Sequence, residues 1–247
     1  MFKGKEAVLK VAVFNMKGGS VKTTTALSLG AALSKSHSVG LIDLDGQRTL
    51  SFGLGMDGAT PTALNWLTDE EEGLPLDTQV EGLHLVPGDI GMFRLSTDKD
   101  LIGSSFDRLK VLDLYMMDCP PSLSVASVQA IMAADRVLVP TLCEPAALKG
   151  LAEAIELIKE ETPDKPLDVL RGQYDPRLVL TREADEMLID AAEDMGFRLL
   201  HTTIPRNIAI AESIAQQQPI GVYAPRSTGA VAYRSLAKEV SKVWGLR

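Results

Sequence analysis

Residues 14–26, "FNMKGGSVKTTTA", read as a phosphate-gripping loop with one residue out of place. Loops of the common type run G-x-x-x-x-G-K-[ST], a turn whose backbone N–H groups cradle phosphate while its lysine reaches the terminal phosphates. Here Val21 stands where a glycine is expected, directly before Lys22 and Thr23. The flanking pattern supports the reading. An apolar run of strand character precedes the loop and a segment of helical period follows it, so the backbone N–H groups and the positive helix end would form an anion nest. Gly18, Gly19, Ser20 and Val21 then belong to the cradle, Lys22 reaches the β- and γ-phosphates, and the Thr23 hydroxyl sits on Mg²⁺. Lys17 is surplus to such a loop, and a second lysine beside one triphosphate needs its own explanation.

Working outward, short apolar runs at 10–15, 39–44, 83–87, 114–118, 136–140, 167–173 and 199–204 read as strands. Segments 22–35, 123–133, 147–160, 182–195 and 228–244 repeat apolar residues every three or four positions and are long enough for crossover helices. This alternation predicts an α/β fold, a doubly wound and mostly parallel sheet with helices on both faces. A chain of 247 residues, 45% hydrophobic, with no Pro/Gly/Ser-rich linker, is expected to form one domain spanning 1–247. The acidic run 69–72 and the glutamine tract 216–218 read as solvated segments.

Composition excludes several classes. The apolar runs are too short for a membrane span, and no charged leader precedes an apolar segment, so a cytoplasmic protein is expected. Cys119 and Cys143 have neither disulfide-framework nor metal-site spacing and read as buried thiols. The net charge of −8 argues against nucleic-acid binding by global charge. Its distribution is uneven: residues 197–247 hold seven Lys/Arg against Glu212 and Glu239, a local excess of +5 on a body of −13.

Carboxylates complete the chemistry. Asp43 and Asp45, two apart at the end of the second long strand, are expected to share a face at the sheet's carboxyl edge, where open α/β sheets place ligands. Such groups order metal-bound water or position the water that attacks a γ-phosphate. Asp118, ending the buried run "LYMMD", has the Walker B placement of a carboxylate that holds the metal through water.

In order, "KGGSVKTTTA", "LIDLDGQRT", "MMDCPPSLS", "ADRVLVPTLCEPAALKGL", "TIPRNIAIAES" and "APRSTGAVAYRSLAKEV" resemble the ParA/Soj partition ATPases, within the deviant-Walker family that includes MinD. The resemblance covers nearly the whole chain. It implies that Lys17 is the signature lysine, crossing to the partner subunit's nucleotide in an ATP-bound sandwich homodimer. It also implies that Lys22, Thr23 and Thr24 contact phosphate and Mg²⁺, that Asp45 supports water attack, and that Asp118 is the Walker B carboxylate with Asp43 as metal support. Pro205 and Asn207 match the stretch that packs around adenine. The implied function is an ATPase that binds DNA non-specifically when dimeric, through residues such as Arg177, Arg206, Arg226, Arg234 and Lys238. A ParB-type centromere-binding partner would stimulate release, giving a nucleoid-associated protein of plasmid or chromosome partition.

Three departures qualify the transfer: Val21 in the loop, Gly46 for the proline of "DxDPQ", and Ala209 where relatives often carry an arginine used for DNA. A left-handed backbone at Val21 would cost at least about 1–2 kcal/mol, or five- to thirty-fold in affinity. Two alternatives follow. One is a partition scaffold that binds nucleotide poorly or without turnover. The other is a MinD-like membrane switch, whose C-terminal helix would insert an apolar face of Val231, Leu236, Val240, Val243 and Trp244 into lipid.

Overall fold

The computed structural model describes residues 8–68 and 74–246; the acidic run 69–72 and Arg247 lie outside them. The strands are β1 Leu9–Val13, β2 Val39–Asp43, β3 Leu76–Asp77, β4 Leu83–Val86, β5 Leu114–Asp118, β6 Arg136–Leu142, β7 Leu167–Gly172 and β8 Arg198–Leu199. They form one sheet in the order β3-β4-β2-β5-β1-β6-β7-β8. All pairings are parallel except β3 with β4, an antiparallel edge that closes one side. The helices are α1 Lys22–Leu33, α2 Thr49–Gly53, α3 Ala63–Thr68, α4 Leu101–Ser105, α5 Val125–Ala133, α6 Pro145–Glu161, α7 Val179–Asp194, α8 Ile208–Ala215, α9 Ile220–Tyr223 and α10 Thr228–Trp244.

Side chains alternating along the strands feed two cores. Ala12 and Phe14 face a layer that includes Trp66, Ile131 and Ile155, from α3, α5 and α6. Val11 and Val13 face the opposite layer, where α1 and α10 supply Leu27, Leu29, Tyr233 and Leu236. Continuous burial of β2 and β5 on both faces explains why these strands read as unbroken apolar runs. The chain leaves β1 through α1 on one face and leaves β5 through α5 on the other. These strands are neighbours, so the crevice at their carboxyl ends is the switch point where such sheets bind ligands.

The long elements match the expected periods, and 228–244 coincides with α10. Three expectations are corrected. The strand expected at 199–204 stops at Leu199, because the N–H groups of His201 and Thr202 donate to the Glu239 carboxylate on α10 (2.7 and 2.8 Å) instead of a ladder. Asp43 and Asp45 do not share a strand face: β2 ends at Asp43, whose Oδ1 accepts the Asp45 N–H at 3.2 Å and turns the chain. The third is the membrane-switch alternative, against which no stable membrane association is the leading expectation: its apolar face is occupied, since Leu236, Val240 and Trp244 are buried in the core layer, and of the five only Val231 is exposed. Among the described residues no helix is long and apolar enough to cross a membrane.

Candidate functional site

The loop after β1 is shaped by its own polar groups. Asn15 is buried and donates to the Pro140 carbonyl (2.9 Å), while its Oδ1 accepts the Lys17 N–H (2.9 Å), so β6 fixes where the loop departs. Gly19 has φ 74° and Val21 has φ 61° and ψ 24°. Both are left-handed, a conformation that suits glycine and strains a β-branched residue. Val21 is also the N-cap of α1 and offers no side-chain hydrogen bond, which leaves the first N–H groups of the helix open to an anion.

Lys22 is buried, its ammonium 3.5 Å from the Lys17 carbonyl oxygen. Desolvation pulls its pKa below the ordinary lysine value, against the opposing charge of Asp118 and Asp45. Lys17 is half-exposed and paired at 2.9 Å with Glu144, the residue that heads α6.

Asp118 and Asp43 lie side by side in the β2–β5 register. Both are fully buried. Neither oxygen of Asp118 has a hydrogen-bond partner in good geometry. Burial pushes its pKa well above the carboxylate range and Asp43 adds to the rise, while the Thr23 hydroxyl and Lys22 pull it back. Asp43 is satisfied: its Oδ2 accepts from the Ser51 N–H (2.9 Å) and hydroxyl (2.7 Å), and burial still raises its pKa to about 6. Ser51 also accepts the Gly88 N–H (2.8 Å), tying the ends of β2 and β4 together. That places Asp43 as a strut behind the loop of Asp45, whose carboxylate is half-exposed and accepts the Gln47 N–H.

A cavity of about 430 Å³ opens beside the phosphate loop, lined by Val21, Thr24, Pro205, Asn207, Ile210 and Tyr233. Asn207 donates to the Thr228 hydroxyl (2.6 Å), but its Oδ1 is buried without a partner. A larger cavity of about 650 Å³ lies at the far end of α1, around His37 and Gly221, and holds no phosphate-loop residue.

Thus Lys17, Gly18, Gly19, Ser20, Val21, Lys22, Thr23, Thr24, Asp43, Asp45 and Asp118 converge on one crevice, with Pro205 and Asn207 in the adjoining cavity. The basic candidates divide. Arg177 is exposed and held by Asp175 through two hydrogen bonds (2.8 and 2.7 Å), which drive the Asp175 pKa down to about 2; Arg206 adds its charge there. Arg234 and Lys238 lie instead along α10, in a groove with Lys35, His37 and Lys242. Arg226 is exposed just before α10. Sequence reasoning missed Ser51, Glu144 and Asn207's orphaned oxygen: Ser51 and Glu144 owe their importance to contacts 37 and 127 positions away, and the Asn207 oxygen to its burial.

A family model described as an AAA domain matches residues 8–167. The chain is 33% identical over 254 residues to the chromosome-partitioning ATPase Soj of Thermus thermophilus, covering 94% of this chain and 95% of that one. It is 32% identical over 249 residues to the sporulation initiation inhibitor protein Soj of Bacillus subtilis, covering 94% and 97%. The chain belongs to the ParA/Soj family of partition ATPases. Among solved structures, a cobyrinic acid a,c-diamide synthase of Mycobacterium smegmatis with ADP and magnesium aligns with TM-score 0.80 at 29% identity, covering 97% of this chain and 96% of that one. MinD of Pyrococcus horikoshii with Mg-ADP aligns at 0.82, covering 97% and 98%; its 24% identity bears on the fold alone.

Against the ParA/Soj pattern, the departures acquire physical contexts. Gly46 lies under Phe93, whose ring atoms come within 2.6–2.8 Å of where a Cβ would be. Ala209 is half-buried and packed against the core layer that contains α1 and α10. Val21 is in the left-handed region that a glycine would occupy without strain.

Proposed function

We propose that the chain is a single-domain, magnesium-dependent ATPase of the partition type. One observation carries the reading: a fully buried Asp118 with both carboxylate oxygens unpartnered, facing a buried lysine at the head of an uncapped helix. Unsatisfied buried carboxylates are costly in a resting fold. The arrangement fits a site kept ready for cationic and anionic ligands together. Among the described residues there is no cluster of three His, Cys, Asp or Glu that would cage a metal alone. Thr23 and Asp118 would therefore hold Mg²⁺ in company with phosphate oxygens. Magnesium, when bound, would neutralise phosphate charge and draw it toward the loop.

The chain's own groups supply the rest. Open N–H groups at the head of α1 receive phosphate, and Lys22, whose ammonium lies 3.5 Å from the Lys17 carbonyl oxygen, gains in that charge an anionic partner. Asp45, held by the Asp43 turn, orients the attacking water at the γ-phosphate. Asn207 Oδ1 in the 430 Å³ cavity offers an acceptor to the base. Lys17, half-exposed, is placed to exchange Glu144 for a nucleotide held by a second copy in an ATP-bound homodimer.

The two basic regions around Arg206 and along α10 would contact DNA phosphates without reading sequence, doubled in number by dimerisation. A ParB-type partner that stimulates hydrolysis, and a cytoplasmic, nucleoid-associated location, follow from that cycle. Left-handed Val21 favours weakened nucleotide binding over loss of it. Titration calorimetry with MgATP and DNA-stimulated phosphate release test the proposal: micromolar binding with slow, stimulated turnover is expected, and no heat of binding with no turnover would end it.

A further inference from the structure

Val21 heads α1 and Gly172 closes β7, yet the two meet. Gly172 is outside the left-handed region, so the freedom glycine gives a backbone does not explain it. Space does. A Cβ built at residue 172 would lie 2.6 Å from Val21 Cγ2, 3.4 Å from the Thr141 carbonyl oxygen and 3.9 Å from Val21 Cβ. The first distance is an overlap; the last is ordinary contact. The isopropyl group of Val21 is thus lodged against the bare α-carbon of Gly172, at the wall of the cavity that also contains Pro205 and Asn207.

Displacing Val21 has a direct consequence for its neighbours. Its carbonyl accepts the Thr25 N–H at 2.9 Å, the first turn of α1, and its peptide bond leads into Lys22. The side chain cannot move far without disturbing that turn, the open N–H groups and the root of Lys22. Misplacement of such groups by about an ångström lowers function on the order of a hundredfold.

We propose that Gly172 is a positioning residue that makes room for valine in the phosphate loop: its missing side chain is the socket that lets Val21 stay left-handed while the loop remains open to polyphosphate. The inference rests on reading this loop as the MgATP site. It makes the two residues a matched pair, in which the strand end accommodates the bulk of the valine.

The test is a set of variants followed by two measurements, MgATP and MgADP affinity by calorimetry, and the thermal midpoint of the nucleotide-free protein. Gly172→Ala should weaken nucleotide binding at least about tenfold and lower the midpoint. Combined with Val21→Ala it should cost less than about threefold relative to Val21→Ala alone, because the 2.6 Å overlap is gone and only the 3.4 Å approach to the Thr141 carbonyl oxygen and the 3.9 Å contact remain. Combined with Val21→Gly it should be similarly silent. Wild-type affinity in Gly172→Ala, or one equal penalty in all three backgrounds, would overturn the socket. Should Gly172→Ala fail to fold, the Val21→Ala pair decides alone: a tenfold loss on adding alanine at 172 rejects the proposal, and a match supports it. If the wild type binds no MgATP, the functional reading falls, while the midpoints of the nucleotide-free variants still decide the socket.

Discussion

Asp118 and Asp168 are both inaccessible to solvent, one at the carboxyl end of β5 and the other near the amino end of β7. Asp168 is answered from three sides: Arg136 and the Trp244 indole N–H donate to its Oδ2 (2.7 and 2.8 Å), and Arg198 stands 3.6 Å from its Oδ1. Asp118 has no such company, only Lys22 and a hydroxyl near it and a second buried carboxylate alongside. One end of the sheet completes its electrostatics within the chain and so fastens α10 to the strands. The other leaves them incomplete, the property on which the proposed MgATP site rests.

The largest way to break this contrast is Asp168→Ala, which strands a partly buried Arg136 and an indole N–H. Denaturant unfolding should show a loss of about 3–5 kcal/mol, with MgATP affinity per folded molecule unchanged. A loss below about 1 kcal/mol would erase the distinction. Asp118→Asn should do the reverse. Nucleotide-free protein is expected to gain about 1–3 kcal/mol as a buried carboxyl that the fold leaves unpaired is replaced by a neutral amide, while magnesium-dependent phosphate release falls at least about a hundredfold.

A pH series sharpens the same point. The folded pKa of Asp43 is about 6, above its unfolded value, so between roughly pH 4 and pH 6 the native state holds the proton more tightly than the unfolded chain. Stability of the nucleotide-free protein therefore falls as pH rises through that window, by on the order of 2–3 kcal/mol, and levels off above it. Asp118 acts in the same direction. Asp43→Asn should flatten the decline; an unchanged slope would mean other groups carry it. The smallest effect is expected at Glu144→Gln, which releases Lys17 from an exposed pair worth at most about 1 kcal/mol. Sedimentation with a non-hydrolysable ATP analogue should show dimers at several-fold lower nucleotide concentration.

The phosphate loop, the buried strands and Asp118 were legible because each is a local pattern: glycines before a lysine, apolar runs, a carboxylate at a strand end. α2, α3 and α4, of five or six residues, fall below the length at which helical period can be recognised. β3 is two residues long, and β8 ends just before His201, whose N–H is captured by a glutamate 38 positions away. Lys17 and Glu144 are separated by 127 positions. Nothing short of the fold brings them, or Val21 and Gly172, together.

The ring of Phe93 resting on Gly46 ties two loops that sequence comparison would treat as independent. A proline placed at 46 would have to push that half-exposed ring aside before it could settle. A smaller side chain at 93 would admit that pyrrolidine where phenylalanine resists it, so the residue tolerated at the turn after β2 is decided by a ring carried 47 positions further along the chain.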